Sequence, residues 1–187
     1  MNIFYLDHSP QKSAAYHCDK HAVKMILEYA QLLSTSHRVL DGTPTVGLSK
    51  TGRKQTRYTL TNSLEHHLYS ATHINHPSAV WARQSQANYN HLVELMKCLC
   101  VEYTDRYGKH HKCEELLDAL STAPSMINTT NKFTEPPPAM PDYCKVAGNS
   151  VQSYRNYYIK EKSQFAKWKT GKQPAWYIEG VSSSANV

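Results

Sequence analysis

His17, His21, Lys24, Glu28, Gln31 and Thr35 recur at three- and four-residue spacings within the segment HCDKHAVKMILEYAQLLST. At about 3.6 residues per turn they share one helical sector roughly 80° wide. Two imidazoles, an amine and a carboxylate on one stripe can do acid–base chemistry. The same stripe can equally be a narrow solvated face in which Lys24 and Glu28 form an ordinary i,i+4 pair. His17 and His21 also have the spacing at which two imidazoles share a zinc ion. Such a site needs a third ligand, and the sequence nominates none, so neither a metal nor a cofactor is expected. The alternative is that one histidine orients Glu28 or contacts a phosphate.

A second group, THINHPSAVWAR, holds His73, Asn75, His76, Trp81 and Arg83. A helix opened by Asn75 and His76 would present free backbone N–H groups and a positive dipole end to an anion. It reads as well as an N-cap, a proline in the first turn and a core tryptophan. The third group, YRNYYIKEKSQFAKWKTGKQPAWYIEG, interleaves aromatics with cations and includes Arg155 and Tyr158. Aromatic faces stack on bases while Lys and Arg meet phosphates, although a core-facing aromatic stripe with a solvated lysine face has the same composition. The phosphate-cradling GxxxxGK[ST], the dinucleotide GxGxxG and the hydrolase GxSxG motifs are absent.

The elements that must position these groups are mainly helical. Around the stripe the first helix is nearly all apolar, so it should pack on three sides and turn the stripe to water, a partner or a cleft. That helix is expected to start near Pro10 to Ala14 and to run to about His37. Before it, Ile3 to Leu6 make a short strand or extended arm. Asp41 to Arg57 reads as a long basic loop, and a second helix is expected over Asn62 to Thr72. Pro77 suits a helix start, with helical spacing continuing to Tyr107 and a stop at Gly108. Further helices are expected over Cys113 to Leu120 and Ser150 to about Lys169. FTEPPPAMPDY between them should run as a proline-rich strap. The expected fold is all-α: a compact single-domain helical bundle over residues 1–180, with a frayed tail from Val181 to Val187.

With 187 residues, 40% hydrophobic and only 7 glycines, the chain is long enough for a real core. A formal net charge of +6 favours a polyanionic partner, nucleic acid or a nucleotide. Five cysteines without a CxxC pair suggest reduced thiols. MNIFYLDHSP has no basic n-region followed by a long apolar core, and no stretch approaches the roughly 20 apolar residues of a membrane span. A cytoplasmic protein without membrane association is expected, and the oligomeric state is left open.

KHAVKMILEYAQLL, then NHPSAVWARQSQANYNHLVELMKCLCVEYTDRYGK, then PAWY, resembles in order and content the pyrimidine-dimer DNA glycosylases of the phage endonuclease V type, over roughly two thirds of the chain. The resemblance implies a compact all-α fold. It also implies a mechanism in which an N-terminal amine attacks C1′ of the damaged nucleotide, a glutamate assists, and a Schiff base permits strand cleavage. His21 and Glu28 keep the family's seven-residue separation, so Glu28 maps to the catalytic glutamate. Asn2 replaces the family's threonine nucleophile, leaving two alternatives: the amine of Met1 takes the role, or no amine does. Leu27 and Gln31 stand where the family has basic residues beside the glutamate.

The expected function is that of a phage-type DNA base-processing protein, a DNA glycosylase with AP-lyase chemistry acting on a flipped nucleotide. Glu28, His21 and Met1 would be catalytic. His17, Lys24, Gln31, His76, Trp81, Arg83, Arg155 and Tyr158 would bind substrate. The rival is a non-catalytic phage protein that sequesters a host signalling nucleotide in the same polar cleft.

Overall fold

The computed structural model describes residues 1–169 and 171–187. Among them the elements run α1 (Pro10–Tyr16), α2 (Asp19–Asp41), β1 (Thr43–Leu48), β2 (Lys54–Thr59), α3 (Pro77–Gln84), α4 (Gln86–Tyr107), α5 (Leu117–Leu120), α6 (Ser150–Tyr157) and α7 (Ala175–Ala185). The fold is mostly helical rather than all-α, because the expected basic loop is an antiparallel hairpin in which Thr43 pairs with Thr59 and Leu48 with Lys54. No helix among the described residues is long and apolar enough to cross a membrane.

The single helix expected from Pro10 to His37 is two helices. Ser9 caps α1 by accepting the Lys12 N–H, and Pro10 occupies the first turn. At His17 and Cys18 the backbone becomes extended, with ψ of 127° and 164°. Arg106 of α4 fills this break. Its guanidinium donates to the carbonyls of Ala15 and His17 at 3.1 and 2.8 Å and to Asp19 Oδ1 at 3.2 Å. Those carbonyls belong to the end of α1, where a helix has no N–H donors left for them, so a buried cation makes the interruption stable.

The core lies between α2 and α4. Met25, Ile26, Tyr29, Leu32 and Leu33 are buried, as are Tyr89, Leu92, Leu95, Met96 and Leu99. Each side chain of this size contributes about 1.5–3 kcal/mol through its burial. The N-terminal segment is extended as expected, yet Ile3 to Leu6 run inside the molecule. The Phe4 N–H donates to Tyr29 Oη at 3.1 Å and the Leu6 N–H to Ser13 Oγ at 3.1 Å. Ser13 Oγ donates to the Phe4 carbonyl at 2.9 Å, and Arg155 Nε donates to that of Leu6 at 2.8 Å. Side chains thus supply the partners that a neighbouring strand would otherwise give.

α3 starts at Pro77, and α4 stops at Gly108 in the left-handed conformation, φ 68°, that glycine adopts beyond a helix end. Ser85, extended at ψ 157°, separates the two and caps α4. Three other boundaries differ from expectation. Residues 62–72 hold only a 3-10 turn, Ser63–His66, and Cys113 lies in a 3-10 turn that leads into α5. The last long helix stops as α6 and passes into a π-turn, Tyr158–Lys162, well short of Lys169. The tail expected to fray is largely helical, because Gly180 brings α7 so close to Ile159 that a Cβ would collide with it. Thr170, inside the aromatic and cationic run, lies outside the described residues. The proline-rich strap is extended and docked: Asn88 Oδ1 accepts the Thr134 N–H at 2.9 Å, and Tyr154 Oη donates to the Pro137 carbonyl at 2.8 Å.

Candidate functional site

The histidines of the stripe are core residues. His17 lies in the break before α2 rather than on it, is sealed from solvent, and sits 2.6 Å from the Ser13 carbonyl through Nδ1. That carbonyl can only accept, so Nδ1 carries the proton and Nε2 accepts from Tyr29 Oη at 2.7 Å. Tyr158 Oη accepts the Cys18 N–H at 3.2 Å and donates to His21 Nδ1 at 2.6 Å. Phe4 stacks on His21 with centroids 4.1 Å apart. Burial pulls His17 down to about 4. Burial, followed by the charges of His17, Lys162, Lys24 and Lys20, pulls His21 down to about 2. Both imidazoles are neutral at neutral pH and occupied by tyrosines, and His17 faces no space a substrate enters.

The stripe is therefore covered by polar partners at both ends and open in the middle. At its far end Thr35 exchanges hydrogen bonds with the backbone of Thr72, accepting its N–H at 3.2 Å. One turn further Arg38 uses all five guanidinium donors. They reach the carbonyls of Tyr69, Tyr58, Glu65 and Leu68 at 2.6–3.0 Å and Glu65 Oε2 at 2.7 Å. Between these ends Lys24, Glu28 and Gln31 remain accessible, with Lys24 Nζ 3.8 Å from Glu28 Oε1. Lys20 and Lys162 lie at the His21 end, on the ring of Phe165, 4.7 and 5.7 Å from its centroid, and that ring meets His21 edge-on. This window holds a carboxylate beside one cation, a setting in which the Lys24 amine can meet a phosphate while the carboxylate acts as base or acid.

The second group lies beside the first. His76 caps α3 by accepting the Ser78 N–H through Nδ1 at 3.0 Å, so the anion site expected at this helix start is taken by the chain's own side chain. Its pKa is lowered by burial first, then by the N-terminal amine of Met1 and by His73. His73 is the one non-glycine residue among those described with a left-handed backbone, φ 47°. It directly follows Thr72, the residue bonded to Thr35, so the stripe and the His76 group meet there. Asn2 Oδ1 and Arg83 Nη1 are buried without a hydrogen-bond partner. Burial lowers the pKa of Arg83.

Comparison with protein-family models, curated proteins and solved structures gave no match. The geometry of the side chains therefore decides their roles. Tyr158 belongs to the His21 pair. Arg155 holds the N-terminal segment through Leu6 and through Asp7 Oδ2 at 3.1 Å. Trp81 is buried and donates through Nε1 to the Thr134 carbonyl at 3.0 Å, so it anchors the strap. Of the residues expected to bind substrate, Lys24 and Gln31 border the accessible window, and His76 stands with Met1. The sequence reading missed Arg38 and Arg106, the two buried arginines. Arg38 was within reach of the same reading, since it continues the three- and four-residue spacing one step beyond Thr35.

Proposed function

We propose that the protein processes bases in duplex DNA, with Glu28 as the acid–base group and the α-amine at the N-terminus as nucleophile. One observation carries the reading: Glu28, the one carboxylate of the stripe, stays partly accessible with Lys24 Nζ 3.8 Å away, whereas both histidines of the stripe are buried. The amine and His73 both stand near His76, and His73 follows Thr72, which bonds to Thr35 at the end of the stripe. In this reaction the amine lone pair forms a bond to C1′ as the glycosidic bond breaks. The departing base takes a proton from water, the attacking nitrogen gives one to Glu28, and Glu28 passes it to the sugar ring oxygen as the C1′–O4′ bond breaks and the protonated Schiff base forms. The resemblance to the endonuclease V type of glycosylase, in which Glu28 maps to the catalytic carboxylate, agrees with this assignment.

Borohydride trapping on duplex DNA with an abasic site tests it, with intact-mass spectrometry defining the N-terminus first. A covalent adduct on the terminal amine is expected. Glu28→Gln should remove base release and trapping, by about 100-fold or more, while leaving DNA affinity within about twofold. Full trapping by that variant, or an adduct on a side-chain lysine, would overturn the roles of Glu28 and the amine.

A second reading, a protein that holds a mononucleotide, is favoured by a polar cleft of about 330 Å³ at the hairpin root, lined by Arg57, Tyr58, Glu65 and Ser70 among others. It predicts a shallow dependence of affinity on salt, whereas a polynucleotide ligand gives a steep one.

A further inference from the structure

The β1–β2 hairpin has no part in the Glu28 window, and its side chains contribute little to the core. Every residue of β1 is exposed, and in β2 only Tyr58 is even half-buried. Two-stranded ribbons are marginal in water unless a face is buried, so something other than side-chain packing holds this one. Its root is held by Arg38, which binds the Tyr58 carbonyl, and by the Gly42 N–H, which donates to the Arg38 carbonyl at 2.9 Å. Its tip is a defined turn. The Ser49 N–H donates to the Arg53 carbonyl at 2.7 Å, the Gly52 N–H donates to that of Ser49 at 2.9 Å, and Gly52 has φ 78°.

With both ends fixed by backbone bonds, the side chains between them are free to serve a partner, and their chemistry names it. From Gly42 to Leu64 the chain has no acidic residue but carries Lys50, Arg53, Lys54 and Arg57. Register puts Lys54 opposite Leu48 on one face, with Val46, and Arg57 opposite Thr45 on the other, while Lys50 and Arg53 sit at the tip. Cations on both faces and the tip suit a partner that surrounds the ribbon with negative charge. The two phosphate walls of a groove do so, whereas a flat anionic surface meets one face only. Val46 and Leu48 are 73% and 69% exposed. Such apolar side chains meet thymine methyl groups on a groove floor. A six-residue strand reaches about 20 Å, and the major groove, about 12 Å wide, admits a two-stranded ribbon.

We infer that the β1–β2 ribbon is the arm by which this protein grips duplex nucleic acid, entering the major groove with Lys50, Arg53, Lys54 and Arg57 on the phosphates. The inference deepens the proposed function and rests on it only for the class of partner.

The test is fluorescence anisotropy with a labelled duplex of about two helical turns, and with one of its strands alone, between about 50 and 200 mM salt. The full chain is compared with the quadruple variant Lys50→Gln, Arg53→Gln, Lys54→Gln, Arg57→Gln. Each lost phosphate contact removes about 0.9 from the log–log salt slope, so a decrease of about 3.6 is expected. Across that salt range the full chain should lose about 100-fold more affinity than the variant. A slope unchanged within about one unit, or equal affinity and slope for the single strand, would overturn the inference. The trapping experiment separates the two claims. Ribbon-dependent duplex binding without an adduct removes the chemistry and keeps the arm. An adduct with ribbon-independent binding removes the arm and keeps the chemistry.

Discussion

At the start of α2 the histidines face inward. His17 and His21 are buried, each hydrogen-bonded to a buried tyrosine, and burial keeps both rings neutral. Beyond the other end of the helix, Lys50, Arg53, Lys54 and Arg57 stand in solvent on a ribbon neither of whose faces is buried. The first region spends its polar chemistry on internal partners and gains a unique packing arrangement. The second leaves its charges unspent, which is the condition for binding something else. Histidines on a helical stripe looked like chemistry and are buried on internal partners, whereas the basic segment read as a loop is an exposed ribbon whose cations keep to solvent.

The largest expected effect tests whether the exposed region depends on the buried one. Arg38 joins them, so Arg38→Met should free the hairpin root and leave the carbonyls of Tyr58, Leu68 and Tyr69 without donors. Leaving buried acceptors unpaired costs about 1–3 kcal/mol each before water enters, and a loss of about 3–5 kcal/mol in denaturant unfolding is expected. Amide exchange in β1 and β2 should quicken more than in α4. Uniform acceleration across both would mean that Arg38 supports the whole core rather than the junction.

A somewhat smaller effect separates the regions by pH. The unfolded chain protonates histidine near 6.5, whereas folded His17 holds out to about 4. Between those values the unfolded state binds more protons, so stability rises with pH in that window and is lost as pH falls through it. His17 alone accounts for about 3 kcal/mol between neutral pH and pH 4, and His91, also lowered to about 4 by burial, adds in the same direction. His17→Gln should flatten the slope of unfolding free energy against pH between about 6.5 and 4 while lowering stability at neutral pH. An unchanged slope in that variant would show that His17 does not titrate as its burial demands.

What could be read beforehand followed from local rules. Pro77 marked the start of α3, and the apolar spacing and Gly108 marked α4, because each acts within one turn of the chain, whereas the break at Ser85 between them carried no such mark. The break at His17 and Cys18 could not be seen this way, since the group that satisfies it, Arg106, comes from α4 far along the sequence. The hairpin was missed for a different reason. Strands announce themselves by alternation of buried and exposed residues, and a ribbon with neither face buried has no such pattern. Its cues were the β-branched Thr43, Thr45, Val46, Thr56 and Thr59 around a turn with Gly52 at the left-handed position. The spacing put Glu28 on the stripe, where its side chain is half-buried beside Lys24, but could not show that its neighbours His21 and Thr35 would be covered.

The smallest expected effect is also the sharpest for the contrast. The quadruple glutamine variant of Lys50, Arg53, Lys54 and Arg57 should change unfolding free energy by less than about 0.5 kcal/mol, because exposed substitutions that break no cap, core contact or buried pair rarely do more. Electrostatics points the same way, since the net charge falls from +6 to +2 and self-repulsion declines. Backbone bonds at the root and tip, which hold the ribbon, do not involve these side chains. A thermal midpoint within a degree or two of the full chain, together with the lost salt slope, would assign the four cations to a partner. A large destabilisation would place them in the architecture beside His17 and His21, and the distinction between the two regions would disappear.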